Sequence, residues 1–265
     1  MSFITLSPLD LALAALLVVA LAIVSGVMHL GIGKQMLIAG TRTVVQLLLV
    51  GLVLKVLFEN ASLGWVALMA GIMLLLAGRE VMARQKQTFS GWWGYGLGTG
   101  AMFLSSFTVT VLALLAFIGN QPWWEPQYAI PLLGMILGNT MNGIALGVDR
   151  LTQSARQQRQ VIEARLLMGQ DAYTAVSAMA RDSMRVGMIP IINAMAAAGI
   201  VSLPGMMTGQ ILAGVPPWEA VKYQILIMFM IAGGTGFATM LAVRLGAKRL
   251  FDYRHRLRLD RLSER

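Results

Sequence analysis

The feature that most constrains this chain is a series of apolar blocks, each about 20 residues long, the length that crosses the hydrocarbon core of a bilayer as a helix. The 265 residues are 57% hydrophobic and only 12% charged, whereas soluble domains carry roughly 25% charged residues. Strand-length segments of alternating hydrophobicity, which are typical of membrane barrels, are absent from the sequence. The pattern predicts an all-α, polytopic integral membrane protein.

Seven blocks are predicted to be transmembrane helices within a single transmembrane domain, residues 1–265. The count falls to six if the third block, or the start of the sixth, lies only at the membrane interface. Short links that contain glycine, proline or charged residues separate the blocks. The predicted spans are Leu9–Leu30, Leu37–Phe58, Leu63–Gly78, Trp92–Ile118, Ala129–Val148, Val186–Ala213 and Lys222–Val243.

The positions of lysine and arginine predict the orientation of these spans. If the N-terminus lies outside, all 21 Lys and Arg residues except Lys55 and Lys222 fall in or beside the links after spans 1, 3, 5 and 7. Because cytoplasmic loops accumulate Lys and Arg, we expect an N-out, C-in protein of the inner or plasma membrane. Its tail, residues 244–265, is basic and cytoplasmic. The net charge of +9 then reflects topology and contact with membrane lipid, not binding to nucleic acid.

What the sequence lacks excludes some kinds of site and weighs against some function classes. There are no cysteines and only two histidines, His29 and His255, so a conventional His/Cys metal site cannot form within one subunit. No P-loop, GxSxG or HExxH motif occurs, and we predict neither a catalytic residue nor a cofactor. Carboxylates are absent from the middle of the spans, which argues against a proton-relay transporter.

The candidates for a transport pathway are mild polar or sulfur-containing side chains. Asn139 lies beside glycines that allow close helix approach, and Met206 and Met207 are soft ligands that could hold a metal ion transiently. The competing interpretation is that Asn139 ties helices together and that the methionines, 19 in all, fill the core. Pro190 and Pro204 interrupt the predicted sixth span, and Pro204 with Gly205 is a candidate hinge.

The longest polar segment, the loop at residues 149–186, carries the strongest functional signal. Span 5 is predicted to continue as a helix into the cytoplasm, with an apolar stripe at Val161, Ile162, Leu166 and Leu167. Gly169 is predicted to end that helix. Asp171 then caps a second, short helix at about Ala172–Met179. A helix, a break and a short helix would form a ledge on the membrane surface, whereas the alternative is a solvated basic loop that touches anionic lipid.

This arrangement resembles the cytoplasmic coupling segment of ABC-transporter permeases. In many importers that segment carries Glu-Ala-Ala, a glycine four residues after the last alanine position, and a later proline. Here Glu163-Ala164-Arg165 precedes Gly169 at that spacing. Arg165 replaces the second alanine, and Pro190 lies further on than the importer proline.

The whole chain resembles the FetB-type ABC transporter permease family more closely. The segments that carry the resemblance are VQLLLVGLVLKVLF, IPLLGMILGNTMN, ARLLMGQDAYTA, RDSMRVGMIP and, above all, SLPGMMTGQILAGVPPWEAVKYQI. That family includes a bacterial probable iron-export permease and plant aluminium-tolerance membrane proteins. Membership implies a membrane subunit that works with a separate cytoplasmic ABC ATPase and a second copy of itself, with iron as the implied exported substrate. Glu163, Arg165, Gly169 and Asp171 would then serve coupling to the ATPase.

Two other classes remain open at the level of sequence. A secondary transporter or channel with a cytoplasmic regulatory loop needs no ATPase, but it lacks the expected intramembrane carboxylates. A membrane-embedded enzyme lacks a nucleophile–base pair and a metal cage.

Overall fold

The computed structural model describes residues 7–264 and divides into two compact units at Ser62 and Leu63. The first six residues and Arg265, the end of the predicted basic tail, lie outside the described residues. That the chain forms a single domain stays a prediction.

The first unit is a hairpin of two helices, α1 (Pro8–Val27) and α2 (Gly33–Glu59). Ser7 and Asp10 form a reciprocal capping box at the start of α1, and Pro8 occupies the first helical turn, where its missing N–H costs nothing. The two helices approach closely at Gly33, where an added Cβ atom would lie 2.9 Å from the Ala22 carbonyl oxygen. Glycine is therefore required at that crossing.

The second unit is a helical bundle whose longest members are predicted transmembrane spans. Its second helix contains two π-helical segments, Phe103–Phe107 and Leu114–Ile118. The helices are α3 (Leu63–Ala83), α4 (Trp92–Ile118), α5 (Pro126–Gln157), α6 (Arg159–Leu167), α7 (Ala172–Ala197), α8 (Gly205–Leu212) and α9 (Pro217–Arg249).

Three helices, α5, α7 and α9, meet where their side chains are small. A Cβ atom added at Gly187 would lie 2.6 Å from the Gly143 carbonyl oxygen and 2.6 Å from Thr239 Cγ2. One added at Gly147 would lie 3.3 Å from the Ser183 carbonyl oxygen. Small residues let helix backbones approach this closely in membranes. The pairing of Gly143 with Gly187 and of Gly147 with Ser183 shows that α7 runs antiparallel to α5.

Helices α5 and α9 run parallel to each other. A Cβ atom added at Gly234 would lie 2.9 Å from Ile136 Cγ2, and one added at Gly246 would lie 3.1 Å from Leu151 Cδ2. Because residue numbers rise together along the two helices, their C-terminal ends share one end of the bundle. We call this the basic end: residues 79–93, 149–185 and 244–264.

The π-helical part of α4 places two serines toward different neighbours. The Ser105 hydroxyl donates to the Gly234 carbonyl oxygen of α9 at 2.7 Å, and the Ser106 hydroxyl donates to Thr140 Oγ1 of α5 at 3.4 Å. Both serines are buried. Two serines adjacent in sequence thus join α4 to two different helices, and single π turns of this kind are often found at functional sites.

The described residues contain one element that the all-α prediction missed. Strands β1 (Gln87–Phe89) and β2 (Leu262–Glu264) form a two-stranded antiparallel ribbon, in which Thr88 pairs with Ser263 and Phe89 with Leu262. Phe89 and Leu262 belong to the main apolar core. The ribbon fixes the tail to the link after α3, so the tail is folded against the basic end.

Six helices within residues 7–264 are long and apolar enough to cross a membrane: α1, α2, α3, α4, α5 and α9. The prediction that span 5 continues beyond the apolar block is confirmed by α5, which extends to Gln157. The predicted sixth span takes a different form. Pro190 does not interrupt it, and α7 runs from Ala172 to Ala197 through that proline.

The predicted short helix at Ala172–Met179 is therefore wrong, because this segment is the first part of the longer α7. Packing of Ser183 and Gly187 against α5 favours continuation of the helix over the local effect of Pro190. The break lies instead at residues 198–203, where Gly199 has a φ of +82°. Pro204 is the N-cap of α8, and Gly205 is its first residue.

Candidate functional site

The candidate site is the elbow formed by α6, the Gly169 turn and the first turn of α7, residues 159–174. Gly169 has a φ of +86°, a left-handed conformation in which glycine carries no steric penalty. Its N–H donates to the Leu166 carbonyl oxygen at 3.0 Å, and the Gln170 N–H donates to the Arg165 carbonyl oxygen at 3.1 Å. These two bonds form a Schellman motif. The prediction that Gly169 ends the helix is confirmed.

Asp171 begins the next helix as its N-cap. Its Oδ1 atom accepts the Thr174 backbone N–H at 2.8 Å, which satisfies a donor that would otherwise lack a partner in the helix. Hydrogen bonds from Thr174 lower the pKa of Asp171, and nearby His255 lowers it further. The carboxylate therefore stays ionised and capped at neutral pH. The predicted capping role of Asp171 is confirmed.

The inner face of the elbow is held to the bundle. Ile162, Ala175 and Val176 are at most 2% exposed, and all three belong to the main apolar core. Arg165 braces the turn across its two helices, since its guanidinium donates to the Ala175 carbonyl oxygen at 2.9 Å. Glu163 forms an ion pair with Arg159 one turn earlier, at 2.8 Å. An ion pair this exposed contributes little to stability.

The outer face of the elbow is apolar and exposed. Leu167 is 90% exposed, Met168 is 73% exposed, and Tyr173 on α7 is 64% exposed. The predicted apolar stripe therefore divides in two: Ile162 and Leu166 face the core, whereas Leu167 points away from it. Large apolar side chains grouped at the tip of a polar protrusion are typical of a surface that binds another protein or a membrane.

Polar contacts join the elbow's supporting helices at the basic end. The Lys86 backbone N–H donates to Asp149 Oδ1 at 2.8 Å, which links the segment after α3 to α5. Arg150 on α5 pairs with Asp182 on α7 at 2.8 Å. Arg84 donates to the Asn142 side-chain oxygen. These contacts span large sequence separations, and no local pattern in the sequence indicates them.

Comparison with known proteins gives the family of the chain. Residues 8–251 match the model of an uncharacterised protein family, UPF0014. The chain belongs to the UPF0014 family. It is accordingly a multi-pass membrane protein of the cell membrane. The sequence resemblance to the FetB-type family is confirmed by the relatives.

The relatives of this UPF0014 protein come from bacteria and plants. It is 40% identical over 206 residues to a UPF0014 membrane protein of Synechocystis, covering 76% of this chain and 77% of the relative. It is 33% identical over 262 residues to the probable iron export permease protein FetB of Escherichia coli, covering 97% and 96%. The protein ALUMINUM SENSITIVE 3 of Arabidopsis thaliana is 29% identical over 233 residues, covering 88% and 83%. No solved structure matches this chain.

The pathway candidates of this UPF0014 chain lie on separate helices. The Asn139 side-chain amide donates to the Met135 carbonyl oxygen at 2.8 Å within α5. Met206 is half-buried and Met207 is buried on α8, just after Pro204 and Gly205. Among residues 7–264, no group of three or more His, Asp or Glu side chains is placed to hold a metal ion. The pathway and hinge assignments stay predictions.

Proposed function

We propose that this chain is the membrane permease subunit of an ABC exporter, and that a separate cytoplasmic ATPase docks on the Gly169 elbow. The cargo we propose is a metal ion, with iron as the first candidate, because a relative that covers nearly the whole chain is named a probable iron export permease protein. The missing P-loop supports a partner that hydrolyses ATP, since this chain has no such site of its own.

The observation that supports docking most strongly is the contrast between the two faces of the elbow. The helix ends on both sides of Gly169 are capped, and the inner face of the elbow is packed into the core. Its outer face presents Leu167 and Met168, which are largely exposed. A rigid corner with an exposed apolar tip is suited to sit in a groove of a partner. Force on that tip passes into α7, because α7 begins three residues after Gly169.

Helix α7 would carry the motion of the partner into the membrane. It packs against α5 at Gly187 and Ser183, where the backbones are in close contact, so it cannot slide without moving its neighbours. Two copies of the permease would then alternate between inward and outward access. The cargo would pass Asn139, Met206 and Met207, and the segment before α8, with Pro204 and Gly205, would flex.

The proposed topology has seven crossings, with the N-terminus outside and the C-terminus in the cytoplasm. Because α5 and α9 run parallel and α7 runs antiparallel between them, α7 leads from the basic end back to the opposite end. The basic end is the cytoplasmic side by the distribution of Lys and Arg. In this topology the elbow lies on the cytoplasmic side, where ATP is available.

A single-cysteine crosslinking experiment tests the docking proposal directly. The natural chain has no cysteine, so Met168→Cys supplies one reactive thiol at the tip of the elbow. We expect it to crosslink to an ABC ATPase that copurifies with this chain. The matched control is Ile200→Cys, which is 88% exposed and lies at the break between α7 and α8. Equal crosslinking at both positions, or none at position 168, would contradict docking on the elbow.

The cargo needs a separate measurement. Under iron load, cells that lack the chain should accumulate more iron than cells that carry it, and the difference should vanish when the ATPase is inactivated. Unchanged iron content would argue against iron as the cargo without affecting the docking proposal. Transport by the purified chain in liposomes without any ATPase would show a secondary transporter or channel instead.

A further inference from the structure

We infer that the turn at Tyr253–His255 in the C-terminal tail forms a second part of the surface that binds the ATPase, beside the Gly169 elbow. This inference rests on the proposed function, because the occupant is the same ATPase. It adds a contact that the elbow alone does not provide. It also gives the folded tail a role in binding.

The first observation is that the tail turn lies against the elbow. The Ala172 backbone N–H, at the start of α7, donates to His255 Nδ1 at 3.4 Å. His255 is also close enough to lower the pKa of Asp171, the N-cap of the same helix. The turn and the elbow therefore form a continuous surface.

The second observation is that the turn is held in one conformation. Asp252 Oδ1 accepts the backbone N–H groups of Arg254 and Arg256, both at 2.9 Å, and its Oδ2 accepts from the Arg256 guanidinium at 2.8 Å. These bonds, with that from the Arg256 backbone first, lower the pKa of Asp252 to about 2. His255 has a φ of +57°, which a residue with a side chain adopts only when its surroundings enforce it.

The base of the turn is anchored in the core. Leu250 is fully buried and Phe251 is 7% exposed. The Arg258 backbone N–H donates to the Leu250 carbonyl oxygen at 2.7 Å, and the Arg261 guanidinium donates to the carbonyl oxygens of Arg249 and Phe251. A turn supported in this way is preorganised, so binding to it costs little conformational entropy.

The third observation is what the turn presents. Tyr253 is 82% exposed, and the Arg254 guanidinium lies over its ring at 5.1 Å. Tyrosine and arginine are among the residue types that contribute most binding energy at protein interfaces. The Asp252 carboxylate is engaged within the turn, so the turn shows an aromatic ring and positive charge. A complementary partner has carboxylates around an apolar groove.

A protein fits this surface better than a lipid membrane does. Helix α5 has 32 residues, a length of about 48 Å, whereas the hydrocarbon core is about 30 Å thick. Its last part, from Asp149 to Gln157, is polar and projects beyond the membrane, and the elbow follows it. The tail turn contacts the elbow at Ala172, so it is carried away from the bilayer surface as well.

Photo-crosslinking in the full chain with its ATPase tests this inference. The probe is p-benzoylphenylalanine, placed in turn at Tyr253, at Met168 on the elbow and at Tyr128 near the start of α5 as an aromatic control. Tyr253 is highly exposed, so the substitution should leave the fold intact, which size-exclusion chromatography checks. We expect ATPase adducts at positions 253 and 168 and none at position 128.

Each other outcome has a distinct meaning. An adduct at position 168 without one at position 253 overturns this inference and leaves the proposed function standing. Adducts at neither position overturn both. A phospholipid adduct at position 253, recognised by its mass, assigns the turn to the membrane and also overturns the inference. As a second readout, Tyr253→Ser should reduce ATPase retention on the immobilised permease at least fivefold, whereas Tyr128→Ser should leave it unchanged.

Discussion

Two helix breaks flank α7, and they differ in side-chain capping and in the burial of the residues beside them. Both depend on a glycine in the left-handed region, Gly169 at φ +86° and Gly199 at φ +82°. At the first, a Schellman motif and the Asp171 cap satisfy the helix ends, and Ile162 and Val176 are buried on either side. At the second, Pro204 caps α8 without a side-chain hydrogen bond, and Ile200 is 88% exposed.

The comparison shows that a glycine alone does not make a rigid corner. What distinguishes the Gly169 elbow is the burial of the residues beside it and the tail that lies against it. A segment with many buried contacts opens at a higher free-energy cost than one with few. We therefore assign transmission of force to the first break and local flexing to the second.

The largest expected effect comes from placing valine at each glycine. A Cβ atom would meet no other atom within 4 Å at Gly169 or at Gly199, so the two substitutions differ only in where they impose backbone strain. A residue with a side chain pays roughly 1–2 kcal/mol to adopt the left-handed backbone conformation. That cost changes an equilibrium constant by a factor of about 5–30. We expect Gly169→Val to reduce ATPase retention by about that factor, whereas Gly199→Val retains it. Pull-down of the ATPase on immobilised permease measures both.

If the two valine variants lose the ATPase equally, the breaks do not differ in function and the comparison fails. Circular dichroism on each variant serves as the control, because a variant that loses helix content reports on folding and not on docking.

An effect of similar size is expected from the exposed apolar residue at each break. Leu167 is 90% exposed and Ile200 is 88% exposed, and such surface substitutions usually change stability by less than about 0.5 kcal/mol. Serine at either position should therefore leave the melting temperature unchanged. If Leu167 is buried by the ATPase, its loss costs about 1.5–3 kcal/mol of binding. Leu167→Ser should then weaken ATPase affinity at least tenfold, and Ile200→Ser should not.

Calorimetric titration of the two serine variants with the ATPase gives these affinities. A weakened Ile200→Ser complex would place the partner at the second break. Unchanged affinity in Leu167→Ser would remove the apolar tip from the interface.

The pH dependence of the tail tests whether the Asp252 carboxylate holds the tail turn that lies against the Gly169 elbow. The folded pKa of Asp252 is about 2, chiefly because the Arg256 backbone donates to it, whereas the pKa of an unfolded aspartate is about 3.9. The stabilisation of the folded tail by ionised Asp252 is thus fully present above about pH 4 and is lost as the pH falls toward 2. Pepsin, which works in this range, should cleave the tail of Asp252→Asn faster than the natural tail at pH 4. The two rates should converge at pH 2.

A constant ratio of the two cleavage rates from pH 4 to pH 2 would show that Asp252 does not hold the turn through its charge. Cleavage outside the tail serves as the internal reference, since it should respond equally in the two chains.

The smallest expected effect concerns the ion pair between Arg150 and Asp182. Its side chains are 48% and 41% exposed, and pairs of this kind contribute at most about 1 kcal/mol. Asp182→Asn should therefore lower the melting temperature by only a few degrees and leave ATPase retention intact. A large loss of either would mean that this pair, and not the packed core, joins α5 to α7.

Local chemistry explains which features the sequence could predict. The elbow was predictable because Gly169 and Asp171 act through residues within a few positions. Helix termination by glycine and capping by aspartate depend on local hydrogen bonds and little on the rest of the fold. Six of the seven apolar spans were predictable from the length and hydrophobicity of their blocks, and α4 coincides with its predicted block. The family resemblance likewise followed from segments spread over the whole chain.

The features that could not be predicted depend on distant partners. The ribbon joins Thr88 to Ser263, and strands of three residues carry too little pattern to be recognised. Continuation of α7 through Pro190 depends on its packing against α5, which overrides the local preference of proline. The exposure of Leu167 beside the buried Ile162 depends on the course of the elbow relative to the core, which periodicity alone did not resolve.

The central claim is that the ATPase binds the Gly169 elbow, and a cryo-electron microscopy reconstruction of the complex tests it most directly. We predict that Leu167 and Met168 are buried in a groove of the ATPase, while Ile200 remains free of it. A complex in which the ATPase leaves Leu167 and Met168 exposed, or binds at the break before α8, would contradict the account.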